Sequence, residues 1–359
     1  MTDAQRIPQV TAWKRIASGI RMVIVYTTIP AACVPVQQPM ADNVELLLVP
    51  GSIAIEAGLS PIAALDGFSR QVPLTPNTST ASRLMRIDVS RTGRWIIDRI
   101  ALPADSFPYS ARAGLVTFGG ASRESATLLR LLQADTAGRR RAAAALRNIV
   151  SAESLHTVVF LPGAISPRDR DAMLVGLAEL GRSVRLARAT AVAVAVAGTD
   201  TAGYPSRELT GIGDALLVRV GPPAPLASPG PPVTIEDVRR SVGLRGSVVG
   251  RGRLILLLPV HGYVWNHDSL PRPIGFHEGV RLANEWRAQL RRDDASQALF
   301  ARAPGKGELW LVDARLAAVL VRESRAMGIR KFAVVLGAGE DVALGDSLSS
   351  AFQTINRSR

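Results

Sequence analysis

The chain has 359 residues, 47% of them hydrophobic and 20% charged, with a formal net charge of +13 at pH 7. That length and apolar content suffice for two or three buried cores and exclude a disordered polymer. A lone cysteine, Cys33, excludes an intramolecular disulfide and a thiolate metal cluster, and no run approaches the roughly 18 to 20 apolar residues that span a bilayer, so the sequence reads as a non-secreted protein with no membrane partner.

All but three of the 43 basic residues are arginine, the exceptions being Lys14, Lys306 and Lys331. Arginine grips phosphate bidentately, and a positive excess of this size attracts polyanions whatever their sequence. Nucleic acid, held through its backbone, is the expected partner.

Residues 1–20 carry Trp13, Lys14-Arg15 and Ile16 without a clear core and read as an N-terminal arm. From Arg21 to Leu102 the chain is β-prone: Met22–Ile29, Val44–Val49, Ser52–Ala57, Leu84–Val89 and Arg94–Leu102 are short runs between turn residues, with Ser90–Gly93 as a hairpin turn. The last run places Ile97 on one face and Ile96 and Ile100 on the other, so it needs cover on both sides. Trp13, Ile16 and Trp95 are accordingly expected to make homo-oligomer contacts.

Leu115–Phe118 reads as a strand leading through Gly119-Gly120 into a helix with Leu128, Leu129, Leu131 and Leu132. The next helix sets Arg139, Arg140 and Arg141 ahead of Leu146, Ile149 and Val150, a candidate phosphate-binding face. Between Ser154 and Pro223 the pattern is strand, helix, strand, loop, strand. Leu155–Pro162 is a buried strand, a helix opened by Ser166-Pro167 is closed by Gly181, and Ser183–Ala197 and Asp214–Val220 are further strands. Six prolines between Gly221 and Pro232 disfavour helix and ladder alike and mark a linker at 222–232.

Val233–Val242 then reads as a helix with Thr234 as its N-cap. Arg245, Arg251 and Arg253 alternate with glycines in a segment suited to a phosphate backbone. Leu254–Val260 is a buried strand, Glu278–Arg292 an amphipathic helix, and Leu309–Val312, Ala314–Met327 and Lys331–Leu336 give strand, helix, strand. The expected fold is mixed α+β, with a β-rich region at 21–221 containing inserted helices and an α/β domain at 233–359.

The motifs carry no recognisable chemistry. His261, His267 and His277, with Asp268 and Glu278, match neither a zinc module nor a helical pair. Ala303-Pro304-Gly305-Lys306-Gly307 lacks the first glycine and the Ser or Thr of a phosphate loop, and no G-x-S-x-G elbow occurs. No catalytic residue, metal or cofactor is expected.

One stretch resembles the segment that joins the two lobes of Hsp70- and actin-like ATPases: Val158 to Gly198, with Pro162, Arg170, Gly181 and Thr190-Ala191-Val192-Ala193. The resemblance implies that Leu216–Val220 leads into a second phosphate loop and that Val334–Gly339 is the adenosine strand, in an actin-like two-lobed α/β fold. Pro222 and Pro223 lack the backbone N–H groups such a loop needs, so the resemblance implies a degenerate nucleotide-binding protein. That is the alternative to the main expectation, a non-enzymatic, self-assembling, arginine-rich coat or nucleocapsid-like protein of the virion or cytoplasm.

Overall fold

A computed structural model of the chain describes residues 45–50, 84–89, 95–100, 113–117, 136–155, 157–162, 168–188, 191–221, 228–266, 271–336 and 341–353. In chain order these form strands β1 (Glu45–Pro50), β2 (Leu84–Val89), β3 (Trp95–Ile100) and β4 (Ala113–Thr117), helix α1 (Thr136–Ala152), strand β5 (Thr157–Leu161), helix α2 (Arg170–Arg188) and strand β6 (Ala191–Ala197). Helix α3 (Ser206–Ile212), strand β7 (Ala215–Arg219), helix α4 (Ile235–Val249) and strands β8 (Leu254–Leu258), β9 (Gly262–Asn266) and β10 (Arg272–Ile274) follow. The chain continues with helix α5 (Phe276–Glu285), strands β11 (Arg291–Arg292), β12 (Leu299–Ala303) and β13 (Gly307–Leu311), helix α6 (Ala314–Ala326), strand β14 (Lys331–Leu336) and helix α7 (Leu344–Gln353).

Two sheets result. The larger runs β1-β14-β8-β7-β6-β5-β4-β2-β3. Eight of its strands are parallel and stand in chain order, and the first, β1, pairs in register with the last, β14, through Glu45 to Lys331 and Pro50 to Leu336. This is the cyclic order of an α/β barrel, with β3 added antiparallel on the β2 edge. The second sheet, β10-β9-β13-β12-β11, is wholly antiparallel and lies in the connection between β8 and α6.

Period-two alternation sorts each barrel strand into two sets. Val158, Phe160, Val192, Val194, Val196, Leu216, Val218, Leu254, Leu256 and Phe332 share one core with helix residues such as Leu146, Met173, Leu177, Leu180, Val238, Val242, Leu316 and Leu320. The alternate residues, including Val159, Leu161, Ala193, Ala195, Leu217, Leu257 and Ala333, are also buried and by parity face the barrel axis. Strands buried on both faces read as unbroken apolar runs, as Ala191–Ala197 (AVAVAVA) and Leu254–Leu258 (LILLL) do.

The expectation of a mixed α+β fold, β-rich before residue 221, is overturned by this sheet, and so is the actin-like two-lobed alternative. β2, β4, β5, β6 and β7 are parallel partners of one another or of strands from the C-terminal third. In particular β7 and β8, on either side of residues 222–232, are adjacent in one sheet. Short apolar runs look alike in parallel and antiparallel sheets, so their abundance near the N-terminus does not report the pairing.

Gly181 does not close a helix. It lies inside α2, where an added Cβ would meet the Ile212 carbonyl oxygen at 3.1 Å, so its smallness serves helix packing and Ser183–Arg188 remain helical. The predicted N-cap is observed: Thr234 precedes α4 and forms a reciprocal capping box with Asp237. Met22–Ile29, Ser52–Ala57, the helix with Leu128–Leu132, and Trp13 and Ile16 of the arm lie outside the described residues. No helix among the described residues is long and apolar enough to cross a membrane.

Candidate functional site

In an α/β barrel the residues at the C-terminal ends of the strands face a common mouth, and chemistry concentrates there. Val159 and Leu161 of β5 and Ala195 and Ala197 of β6 bring only apolar side chains to it on the axis-facing parity. β7 differs. Ala215, Leu217 and Arg219 share that parity, so the strand ends by setting a guanidinium, 7% exposed, where its neighbours set alanine and leucine. On β8 the same parity holds Ile255 and Leu257, and the link beyond the strand carries His261, which is 9% exposed.

His261 does not stand alone. Its Nε2 lies 3.1 Å from the Tyr263 hydroxyl, and the two rings meet edge to face at 5.3 Å. Burial, and then the positive charge of Arg219, push the His261 pKa down to about 4, so the imidazole is neutral at pH 7. Burial lowers the Arg219 pKa from its ordinary value, with the Tyr263 phenol acting in the opposite sense. The mouth therefore combines one arginine, one neutral imidazole and one phenol.

A wall rises beside this group because the inserted sheet occupies the seventh strand-to-helix connection. One face of that sheet, through Val264, Ile274, Ala301, Leu309 and Leu311, packs on Ala283, Leu282 and Trp286 of the α5 segment. The other face carries Tyr263 and Trp265 from β9, Glu308 and Trp310 from β13, and Phe300 and Arg302 from β12. Registers Trp310↔Tyr263, Glu308↔Trp265, Phe300↔Trp310 and Arg302↔Glu308 set these into two rows. The Phe300 and Trp310 rings stack at 5.0 Å and 23°, and the Tyr263 and Trp265 rings meet edge to face at 5.8 Å. Glu308, 7% exposed, accepts from Trp310 Nε1 at 2.7 Å and from Arg302 Nε at 2.5 Å, which fixes the indole.

The loop after β6 is the third component. Arg245 reaches it from α4 with no exposed surface. Its guanidinium donates to the carbonyls of Tyr204, Ala197 (2.7 Å) and Asp200 (2.6 Å) and to the Ser206 hydroxyl (3.0 Å). Asp200 itself is exposed, one carboxylate oxygen accepting from the Gly203 N–H at 2.8 Å.

The residues singled out in the sequence are thus dispersed. Arg140 and Arg141 are exposed on α1, whereas Arg139 is half-buried and bonds Glu179 of α2 and Thr136. Arg251 is exposed, and Arg253 donates to the carbonyls of Asp214, Thr210 and Gly213. Arg245 is internal, as described. Trp95 is half-buried and, with Ile97, packs on the main core. His277 is exposed on α5, while His261 is buried; His267 lies outside the described residues. Arg219, Tyr263, Trp265 and Trp310 are not marked as a site by any motif; the one local signal is the alternation Ala215, Leu217, Arg219, a charged end to an apolar strand.

Fold and site together define an α/β barrel whose seventh connection carries an antiparallel sheet as an aromatic wall. Solved structures that share this fold include chitinases, a spore cortex-lytic enzyme and a chitinase-like agglutinin. A chitinase from Chromobacterium violaceum matches with a TM-score of 0.64 at 18% identity over 86% of this chain and 98% of that one. The spore cortex-lytic enzyme of Bacillus megaterium matches with a TM-score of 0.56 at 15% identity over 67% of this chain, which spans 59% of that enzyme's length. A chitinase-like agglutinin from Robinia pseudoacacia matches with a TM-score of 0.52 at 16% identity over 67% of this chain and 81% of that one. No family model matches the sequence, and no curated protein resembles it in sequence.

These likenesses correct the expectation of a non-enzymatic, coat-like protein assembled on nucleic acid. The fold is one that chitinases and cortex-lytic enzymes use, and the arginine excess, which suggested a capsid, is a property of composition that any fold can carry.

Proposed function

We propose that the protein is a chitinase-like, glycan-directed barrel protein that takes an amino-sugar polysaccharide, of the chitin or cortex kind, along the C-terminal mouth of its barrel. The observation that carries this reading is the half-buried Phe300–Trp310 stack of the inserted sheet, backed by the buried Tyr263 and Trp265, with Tyr263 bonded to His261 just beyond β8. A pyranose ring offers C–H groups from its faces and hydroxyls from its edge. The half-buried ring pair meets the first, and the exposed Arg302 guanidinium, oriented by Glu308, donates to the second.

Hydrolysis of a glycosidic bond needs a carboxylic acid to protonate the leaving oxygen. Among the described residues, Asp200 stands three positions beyond β6 and Asp88 is next to last in β2, both toward the C-terminal ends of barrel strands. Asp200 is the assigned candidate acid, because its carboxylate is exposed and its loop is anchored by Arg245.

The test is retention on insoluble chitin and on purified spore cortex, together with assay of released oligosaccharides. Wild-type protein is expected to bind, Trp310→Ala to lose most of that binding, and Asp200→Asn to keep binding while losing release. Failure of the wild type to bind either polymer refutes the reading.

A further inference from the structure

A helix that sheathes a barrel is apolar inward and polar outward, and α4 departs from that rule in its middle. Its buried face runs from Val238 through Val242 and Arg245 to Val249. On the outward face Leu244 is 41% and Val248 52% exposed, one helical turn apart. Gly243 is exposed as well, and a Cβ added there would meet nothing within 4 Å. Glycine inside a helix is destabilising relative to alanine, and close approach of a second backbone is what such a residue permits. The two ends of the same surface carry opposite charge. Glu236 stands in the first turn and Arg251 just past the last, both exposed and neither with a hydrogen-bond or ion-pair partner among the described residues. Arg239, turned to the side, is already held by Glu323 of α6 at 3.2 Å.

Glu236 lies seven positions before Gly243, and Arg251 seven beyond Leu244. A twofold axis perpendicular to the helix and midway between Gly243 and Leu244 therefore sets Glu236 of each copy against Arg251 of the other. It brings the two Leu244 side chains together and lays the two open glycines side by side. We propose that a second copy of this chain docks on this surface, α4 against α4 and antiparallel, in an isologous dimer. Arg240 is the like-charged group near the contact; its stem lies along Val248 of the other copy while its head stays in water. The homo-oligomer contact expected at Trp95, which packs on the main core, thus moves to the helix layer. Because α4 connects the parallel neighbours β7 and β8, it runs back against both strands, so reversing α4 across the axis points the two barrels in opposite directions. Resting on the reading of the mouth as a glycan site, the dimer presents two mouths to opposite sides and joins two polymer strands, a bivalent arrangement.

The test is sedimentation equilibrium of the full chain at up to about 100 μM, which covers the weak association of a small interface. Salt at about 150 mM, with a Debye length of about 8 Å, screens the mutual repulsion of two copies of net charge +13 while leaving contact pairs in place. The wild type is expected to dimerise. Leu244→Glu, Glu236→Arg and Arg251→Glu are each expected to weaken association about tenfold or more, and the double variant E236R/R251E, which restores opposite charges across the axis, to regain most of it. All three side chains are exposed, so the variants keep the wild-type fold by circular dichroism. A wild type that stays monomeric overturns the proposal, and so does a double variant no better than the two single charge reversals. Bridging is read as clumping of suspended chitin particles, expected with the wild type and lost in Leu244→Glu. A dimer that binds the particles without clumping them overturns the opposed mouths, whereas a dimer that binds no polymer removes the glycan reading and leaves the interface standing.

Discussion

The helix layer behind β6 and β7 and the mouth above them each contain a buried arginine, and the two are used differently. Arg245 in the helix layer is consumed by backbone: three carbonyls and a hydroxyl of the loop 197–206 surround it. Arg219 in the mouth sits among side chains, and its charge alters a neighbour's protonation. An internal cation bonded to peptide carbonyls acts as a fastener. One set at the end of a barrel strand near an imidazole and a phenol also acts through its field, lowering the pKa of the neighbouring imidazole.

The strongest way to break this contrast is to remove the fastener. Arg245→Met fills the space with a flexible apolar chain but leaves the carbonyls of Ala197, Asp200 and Tyr204 without their donor. Each buried acceptor so abandoned costs about 1–3 kcal/mol, so a loss of roughly 4 kcal/mol is expected in chemical denaturation. Asp200 would lose its anchored position, and turnover of polysaccharide should fall even under conditions where the variant remains folded.

Acid sharpens the comparison from the mouth's side. An ordinary histidine titrates near 6.5, and His261 in the folded chain near 4. Between those values the unfolded chain binds more protons than the folded one, so stability rises with pH through this window and is lost on acidification from about 6.5 toward 4. The integrated effect is on the order of 3 kcal/mol. It is absent in His261→Gln, as denaturation midpoints measured across the window would show.

Attachment of the inserted sheet is the next target. A Cβ at Gly262 would lie 2.2 Å from the Trp310 carbonyl oxygen and 2.6 Å from Leu311 Cδ2. Gly262→Ala must therefore push β9 from β13, costing about 2 kcal/mol by the usual scale of overpacking. The aromatic rows would shift relative to each other, so glycan binding should weaken and tryptophan fluorescence change while far-ultraviolet dichroism from the barrel persists.

Much of the secondary structure was legible because barrel strands are short, apolar and bounded by turn residues: Leu84–Val89 and Lys331–Leu336 coincide with β2 and β14. The architecture was not, because nothing in a run such as Leu-Ile-Leu-Leu-Leu states that its partners are parallel or that the first strand meets the last. The site was hidden for a related reason. Arg219, Tyr263 and Trp310 come from three strands and His261 from the short link between β8 and β9, up to 91 positions apart, and each is an isolated polar or aromatic residue until the sheets form. Arg245, by contrast, drew attention as part of a flexible glycine-arginine run, when most of that run continues an α-helix to Val249.

The smallest effect tests a helix cap that is legible in the sequence and present in the structure. The Thr234 hydroxyl accepts from the Asp237 N–H at 3.1 Å, and Asp237 Oδ2 accepts in return from the Thr234 N–H at 2.9 Å. The pair satisfies two backbone donors at the start of α4 and sets a negative charge at the helix's positive end. Thr234→Ala removes the first bond and leaves the helix interior untouched, so a loss of about 1 kcal/mol is expected. Because α4 lies behind the sheet and carries Arg245 about three turns beyond the cap, fraying of its first turn should lower the melting temperature without altering glycan affinity. A Thr234→Ala variant whose affinity fell as far as that of Gly262→Ala would show that the helix layer and the mouth are not separate regions.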